Sequence, residues 1–357
     1  MLAGGEKNLL KQPDRALMKL DVTIHKGRRD RPAIVFIHGL GMNKNIWVNP
    51  DEAKMLGGNF PIKYLLSKKP ESIDCGPAPE KPRIRHSRFS AGKAEKDLKT
   101  SFADLQSSGY TVIAWSQKRP AGPIDIAVKE LAYIAELAKG ISSSGIILIG
   151  HSRGGLIARK YLEHLKSGDK SVRGLITLAS PHHGSSMAKL AAYISPIASI
   201  ISPLIHEEDR KKSAYAIKRI LDFIKSRALK ELLPDSEFFR TLKGYDYEKI
   251  QGFSFGGTNP SLFSLYRWKL KEISKRSSHR WMLEPEVVFS IPDILENIIP
   301  GKIYPQELKK GYGDGLVSAK SSMLPFCNEH HDFALNHAAI LFDEAVRKKI
   351  IGSMGLM

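Results

Sequence analysis

Residues 145–155 read Gly145-Ile146-Ile147-Leu148-Ile149-Gly150-His151-Ser152-Arg153-Gly154-Gly155 and continue as Leu156-Ile157-Ala158-Arg159. Four consecutive apolar residues, Ile146 to Ile149, have the character of a strand buried on both faces, as inside a parallel sheet. After Ser152 the spacing changes. Leu156, Ile157, Tyr161, Leu162 and Leu165 recur at helical intervals, and Gly168 supplies a stop. Between strand and helix lies Gly150-x-Ser152-x-Gly154. So sharp a turn holds the serine in a strained conformation, and its neighbours must be small because two backbones nearly touch there. The turn lifts the Ser152 hydroxyl above the sheet edge, beside the positive end of the following helix, where developing negative charge is stabilised. Small residues flank serines often by chance. A buried strand on one side and an amphipathic helix on the other make this instance specific.

The 357-residue chain has room for one large α/β domain with insertions, or for two ordinary domains. Its 42% hydrophobic and 26% charged residues are those of a globular protein. No apolar run reaches 18 residues, so no membrane-spanning helix is expected, and residues 1–15 lack the apolar centre of a secretory signal. The two cysteines, Cys75 and Cys327, are expected as free thiols in a reducing compartment, which makes the expected location cytoplasmic, with attachment to a membrane periphery as an option. Lys and Arg number 55 against 37 Asp and Glu, a net charge of +18 that favours anionic partners. No zinc-ligand spacing, RNA-binding aromatic signature or basic repeat accompanies the charge, so nucleic acid is not expected, and an anionic membrane surface, a negatively charged substrate or solubility with no specific partner are the readings left open.

Strand and helix alternate on either side of the central stretch. After a loose basic arm over 1–18, Leu20 to Ile24 alternates as an outer strand, and Pro32 to Ile37 reads as a buried one ending in His38-Gly39-Leu40-Gly41. Residues 67–96, with prolines at 70, 77, 79 and 82, read as a long loop insertion. A helical piece over Leu98–Leu105, a strand over Tyr110–Trp115 and a helix over Ile124–Lys139 restore the alternation. Val172 to Ala179 is the next strand, closing on Ser180-Pro181-His182-His183-Gly184-Ser185. Residues 186–248 break the pattern. Leu190 to Ile205 is nearly uncharged but interrupted by prolines, and Ile217, Ile220, Leu221 and Ile224 form an apolar stripe in a basic segment, so this region is expected to be a helical lid. Strand character returns over Lys249–Thr258. The basic stretch Lys269–Arg280 has no role assigned, and Glu286–Ile291 reads as a strand or the edge of a helical excursion.

Residues 145–165 resemble the nucleophile elbow of the α/β-hydrolase fold, in the manner of bacterial lipases and esterases, and three further matches extend the likeness over roughly residues 20–345. His38-Gly39-Leu40-Gly41 resembles the lipase segment that supplies half of the oxyanion hole, where glycines let an amide approach the acyl oxygen. The resemblance implies the amides of Leu40 and Arg153 as donors. Thr177-Leu178-Ala179-Ser180-Pro181-His182-His183-Gly184-Ser185 resembles the stretch that lines the rim of such sites. It implies His182 and His183 as rim residues, with His38, Gly39 and His151 as further candidates for substrate contact. A metal is not expected at the histidine pair, because adjacent histidines diverge and no carboxylate sits at ligand spacing. Nor is a cofactor.

A serine at neutral pH needs a base to take its proton and a carboxylate to orient that base. In the resembled fold the acid and then the histidine follow the serine. Asp314, in Gly313-Asp314-Gly315-Leu316-Val317, matches the family's acid segment, with Asp332 and Asp293 in reserve. Of the late histidines His279, His330, His331 and His337, the last lies in Leu335-Asn336-His337-Ala338-Ala339 and looks like the closing motif. His330 and His331, within Glu329-His330-His331-Asp332, read as a solvated loop. The expectation is an α/β-hydrolase core over 19–185 and 249–357, a lid over 186–248, and a Ser152-Asp314-His337 triad acting on a small-molecule or lipid ester with an apolar acyl chain. An acyltransferase, thioesterase or phospholipase would use the same triad, and a non-catalytic basic module is the rival from another class.

Overall fold

A computed structural model describes residues 19–54, 62–66, 68–77, 89–90, 97–165, 169–190, 227–242, 250–262, 264–275 and 278–357. In chain order the strands are β1 (Asp21–His25), β2 (Ala33–Ile37), β3 (Ile73–Pro77), β4 (Phe89–Ser90), β5 (Val112–Ser116) and β6 (Ile146–His151). They continue as β7 (Val172–Leu178), β8 (Gln251–Gly257), β9 (Ser264–Lys275), β10 (Ser278–Ser290) and β11 (Glu329–Phe333). Seven of them form one sheet in the order β1-β5-β2-β6-β7-β8-β11. Every pairing in it is parallel except that of β1, which runs antiparallel along β5 at the edge.

The sheet is buried on both faces, which is why β2 and β6 are apolar without alternation. On one face lie α3 (Ile124–Ile141) and α4 (Arg153–Glu163), which bury Leu131, Ile134, Leu156, Ile157 and Tyr161 against β2 and β6. On the other face α1 (Asn45–Val48), α2 (Ser101–Ser107) and the C-terminal helix Glu344–Ser353 cover Ile34, Phe36, Ile147 and Ile149. Local chemistry marks the helix ends. Thr100 accepts from the Ala103 amide at the start of α2, and Asp343 accepts from the Ala345 and Val346 amides at 2.9 and 3.2 Å. The architecture is α/β, as the alternation of the sequence predicts.

Residues 67–96, expected as a loop, carry two strands. β3 and β4 join β9 and β10 in a second, antiparallel sheet of order β3-β10-β9-β4. The basic stretch Lys269–Arg280 runs over the end of β9 and the start of β10, and the ambiguous segment at Glu286 ends β10 opposite the start of β9. Pairing explains the charge. Arg267 and Lys269 reach Glu286 at 3.2 and 3.7 Å, Lys271 pairs with Glu284, and Arg280 pairs with Asp74 of β3. Opposite charges facing across neighbouring strands favour this register.

Several expectations fall on residues outside the described ones: the arm 1–18, the Gly168 stop, and, within the expected lid, residues 191–226 with their apolar stripe and residues 243–248. The rest of that region holds a 3-10 turn, Ser186–Leu190, and two short helices, Arg227–Lys230 and Glu237–Thr241. Cys75 and Cys327 are free thiols. Among the described residues no helix is long and apolar enough to cross a membrane.

Candidate active site

Because β2, β6, β7, β8 and β11 run parallel, their carboxyl ends lie along one edge of the sheet, where open α/β sheets gather their ligands. β6 ends at His151, and Ser152 follows with φ 54° and ψ −127°. Among the described residues only Ser152 and Ala179 have positive φ without being glycine. Such a backbone costs roughly 1–3 kcal/mol and persists only where the surroundings impose it. Here the Ser152 amide donates to the Leu178 carbonyl at 2.8 Å, and α4 starts at the next residue. A side chain at Gly154 would strike the carbonyl of Ile37, so the close approach of α4 to β2 demands glycine.

Asp314 and His337 meet at the same edge. Asp314 is fully buried on the loop after the second sheet. Its Oδ1 accepts from the amides of Leu316 and Val317 at 2.9 and 2.7 Å, and its Oδ2 lies 2.8 Å from His337 Nδ1. The His337 amide also donates to the Asp314 carbonyl at 3.0 Å. The carboxylate therefore receives the proton of Nδ1, which leaves Nε2 of His337 as the acceptor nitrogen. His151 joins this pair to the elbow: its Nε2 donates to the His337 carbonyl at 3.0 Å, and the two rings are 4.8 Å apart.

The other candidates lie elsewhere. Asp332 and His330 pair with each other on β11, where His330 Nδ1 also meets Ser254 Oγ at 2.8 Å, and His331 pairs with Glu329 at 3.0 Å. His279 is on β10 of the second sheet, and Asp293 is in the first turn of the helix Ile291–Ile298.

The His38-Gly39-Leu40 loop lies directly against the elbow. A Cβ on Gly39 would sit 3.1 Å from both Ser152 Cβ and His151 Nδ1. His38 is buried, and both its ring nitrogens serve the backbone: Nε2 accepts from the Gln117 amide at 3.0 Å, so Nδ1 carries the proton and donates to the Gly39 carbonyl at 2.9 Å. Burial is the main cause that pushes its pKa down to about 4, so the ring is neutral near pH 7. Burial likewise holds His151 and His182 well below the usual histidine range. His182 Nε2 meets Thr177 Oγ1 at 3.1 Å, whereas His183 is exposed. The Ser180–Ser186 segment braces the acid loop: Ser185 Oγ donates to the Leu316 carbonyl at 2.7 Å, and Ser321 Oγ to the Gly184 carbonyl at 2.6 Å. Glu307 Oε1 accepts from the Ser186 amide at 2.6 Å.

Sequence reasoning missed these braces and also the side chain of Arg153. The guanidinium is buried beside the elbow and donates to the carbonyls of Pro120, at 3.0 Å, and Gly122. Its one signal was a charged residue at a position enclosed between a buried strand and a packed helix.

Comparison with known proteins places the fold. The model of the PGAP1-like alpha/beta domain matches residues 125–226, which include all but the first residue of α3, β6, the elbow and β7. The crystal structure of Bacillus licheniformis lipase BlEst2 in its propeptide form superposes with a TM-score of 0.51 at 15% identity, over 93% of this chain and 53% of that one. The chain has the α/β-hydrolase fold. Protein SERAC1 of Mus musculus is 30% identical over 115 residues, 30% of this chain and 17% of that protein. Protein SERAC1 of Homo sapiens is 28% identical over 142 residues, 37% of this chain and 21% of that protein. The matches thus span about a fifth of those relatives' length. An α/β-hydrolase fold hosts many chemistries, so the function rests on the site.

Proposed function

We propose that the protein is a serine-dependent hydrolase of carboxylic esters, of lipase or esterase type, working through an acyl-enzyme. The observation that carries this reading is the buried Asp314–His337 pair at 2.8 Å, tied through His151 to the strained elbow that presents Ser152. Ser152 Oγ attacks the acyl carbonyl while His337 Nε2 takes its proton, and Asp314 stabilises the imidazolium. His337 then returns the proton to the leaving alcohol. Water, activated by the same imidazole, releases the acid. The amides of Leu40 and Arg153 are the proposed oxyanion donors. Arg153 opens α4, so its amide is one of those with no partner inside the helix, and the absence of a side chain at Gly39 lets the Leu40 loop lie close to the serine.

The proposed substrate is an ester with an apolar acyl chain. Tyr312 and Leu316, both exposed, flank Asp314 and offer apolar surface beside the site. His183, which is exposed, is assigned to the rim, whereas His182 is buried against Thr177, and the net charge of +18 favours substrate presented on an anionic surface.

A fluorophosphonate probe tests the reading. Labelling confined to Ser152 supports a serine hydrolase, and an unlabelled protein supports the non-catalytic basic module instead. A panel of p-nitrophenyl esters of increasing chain length, with and without anionic vesicles, then separates esterase from lipase or phospholipase. A labelled enzyme that turns over only thioesters, or only with an added alcohol acceptor, is a thioesterase or an acyltransferase.

A further inference from the structure

Arg153 follows the proposed nucleophile, and its side chain is as unusual as its position. It is fully buried, although an arginine in an apolar interior bears a desolvation cost that a leucine or methionine of similar volume would avoid. Burial lowers its pKa to about 10, so it stays charged near pH 7, and Glu231 and Glu130 offset that charge. Two of its donors go to one short loop: Nη1 to the Pro120 carbonyl at 3.0 Å and Nη2 to the Gly122 carbonyl.

That loop holds the other wall of the site. The Pro120 carbonyl also accepts from the Gly41 amide at 2.9 Å, so one oxygen joins the Arg153 guanidinium to the residue after Leu40. Three residues earlier, Gln117 grips the opposite end of the same wall. Its amide donates to His38 Nε2 and its Nε2 donates to the His38 carbonyl, each at 3.0 Å. The far end of the loop is held as well, since Glu231 Oε2 accepts from the Ile124 amide at 3.0 Å. Residues 38–41 thus hang from residues 117–120, and Arg153 ties that support to the elbow.

We infer that Arg153 is a positioning residue: its guanidinium fork, through the carbonyls of Pro120 and Gly122, sets where the Leu40 amide stands relative to Ser152. The inference rests on the ester-hydrolase reading. One residue then carries both halves of the geometry, its amide on the elbow side and its side chain holding the facing loop. Donors to a developing oxyanion must be placed before the reaction, and a small displacement costs more in the transition state than in substrate binding. Lysine keeps the charge between Glu130 and Glu231 but cannot reproduce the fork.

The test compares wild type, R153K and R153M, with turnover expressed per site titrated by a fluorophosphonate and affinity measured for an aryl boronic acid, which forms a tetrahedral adduct on serine. The expected result is a fall in kcat of about 10- to 100-fold in both variants, with KM within about twofold. Boronate affinity should weaken in proportion to kcat/KM. A merely structural role would lower the unfolding midpoint and the number of titratable sites, leaving turnover per site unchanged. If R153M does not fold, R153K carries the test because its buried charge is retained. Variants within twofold of wild type in turnover per site and boronate affinity overturn the inference while the hydrolase reading stands. A wild type that neither labels nor turns over removes both.

Discussion

His151 Nε2 donates a hydrogen bond to the main-chain carbonyl of His337 across 3.0 Å, joining residues 186 positions apart. A carbonyl can only accept, so the proton on His151 sits on Nε2, and burial keeps that ring neutral near pH 7. The residue beside Ser152 therefore holds the backbone of the histidine proposed to act on it. On the other side, Asp314 holds the same histidine through both Nδ1 and the main-chain amide. His337 is gripped from two sides before any substrate arrives.

Replacing Ser152 by alanine should lower esterase turnover by about four to six orders of magnitude, leaving whatever rate the oxyanion donors and binding sustain alone. The backbone strain remains, so the unfolding midpoint should move little. Hydrolysis of p-nitrophenyl esters and thermal unfolding on the same preparation check both halves.

Asp314→Asn retains an oxygen for the Leu316 and Val317 amides but puts an NH2 group against His337 Nδ1. The imidazole must then turn its protonated nitrogen elsewhere and loses its stabilising charge. Turnover should fall by roughly 10^4-fold, as expected when a triad loses its acid without losing its shape. Steady-state kinetics across pH 6–9 measure it, and a variant retaining a tenth of the activity would place the acid elsewhere.

His38 should make the fold acid-sensitive. Above pH 6.5 the imidazole is neutral in native and unfolded chains alike and contributes no pH dependence. As pH falls from 6.5 to about 4, the unfolded chain gains a proton that the buried native ring refuses, so stability declines. The loss attributable to this residue approaches about 3 kcal/mol below pH 4. His151 and His182 act in the same direction, so the informative comparison is His38→Asn against wild type. Urea midpoints measured from pH 4 to 7 should show a shallower decline in the variant, and parallel curves would refute the assignment.

Gly257, the last residue of β8, touches the acid from behind. A methyl there would lie 2.7 Å from Asp314 Cβ and 2.5 Å from the Leu335 carbonyl. Gly257→Ala should displace the Asp314 loop, lowering kcat at least tenfold and stability by about 1–3 kcal/mol. Kinetics together with denaturant unfolding separate the two effects, and unchanged kcat would show that the loop tolerates the shift.

Much of the core was legible because its signals are local. Ile146 to Ile149 had to be buried, Gly154 had to be small, and Leu156, Ile157 and Tyr161 had to share a helix face. Of the second sheet, only Glu286–Ile291, read as a strand or the edge of a helical excursion, was marked locally, as the end of β10 before a helix. β3 meets β10 some two hundred positions away, and a strand that short, set among prolines, carries no periodicity of its own. The basic residues from Lys269 to Arg280 likewise looked like unassigned charge until Glu286, Glu284 and Asp74 lay opposite.

The amino-acid order alone determined the alternation of strand and helix, the strained turn at Ser152 and which late residues could act as acid and base, because short-range sterics and hydrophobic periodicity govern those features. Only the folded chain decided that Asp314 faces His337 rather than Asp332 or Asp293 doing so, that His38 is locked onto Gln117, and that Arg153 turns inward to grip Pro120 and Gly122. Those outcomes depend on distance across the sheet edge, and distance through space is the quantity that neighbouring residues along a chain do not encode.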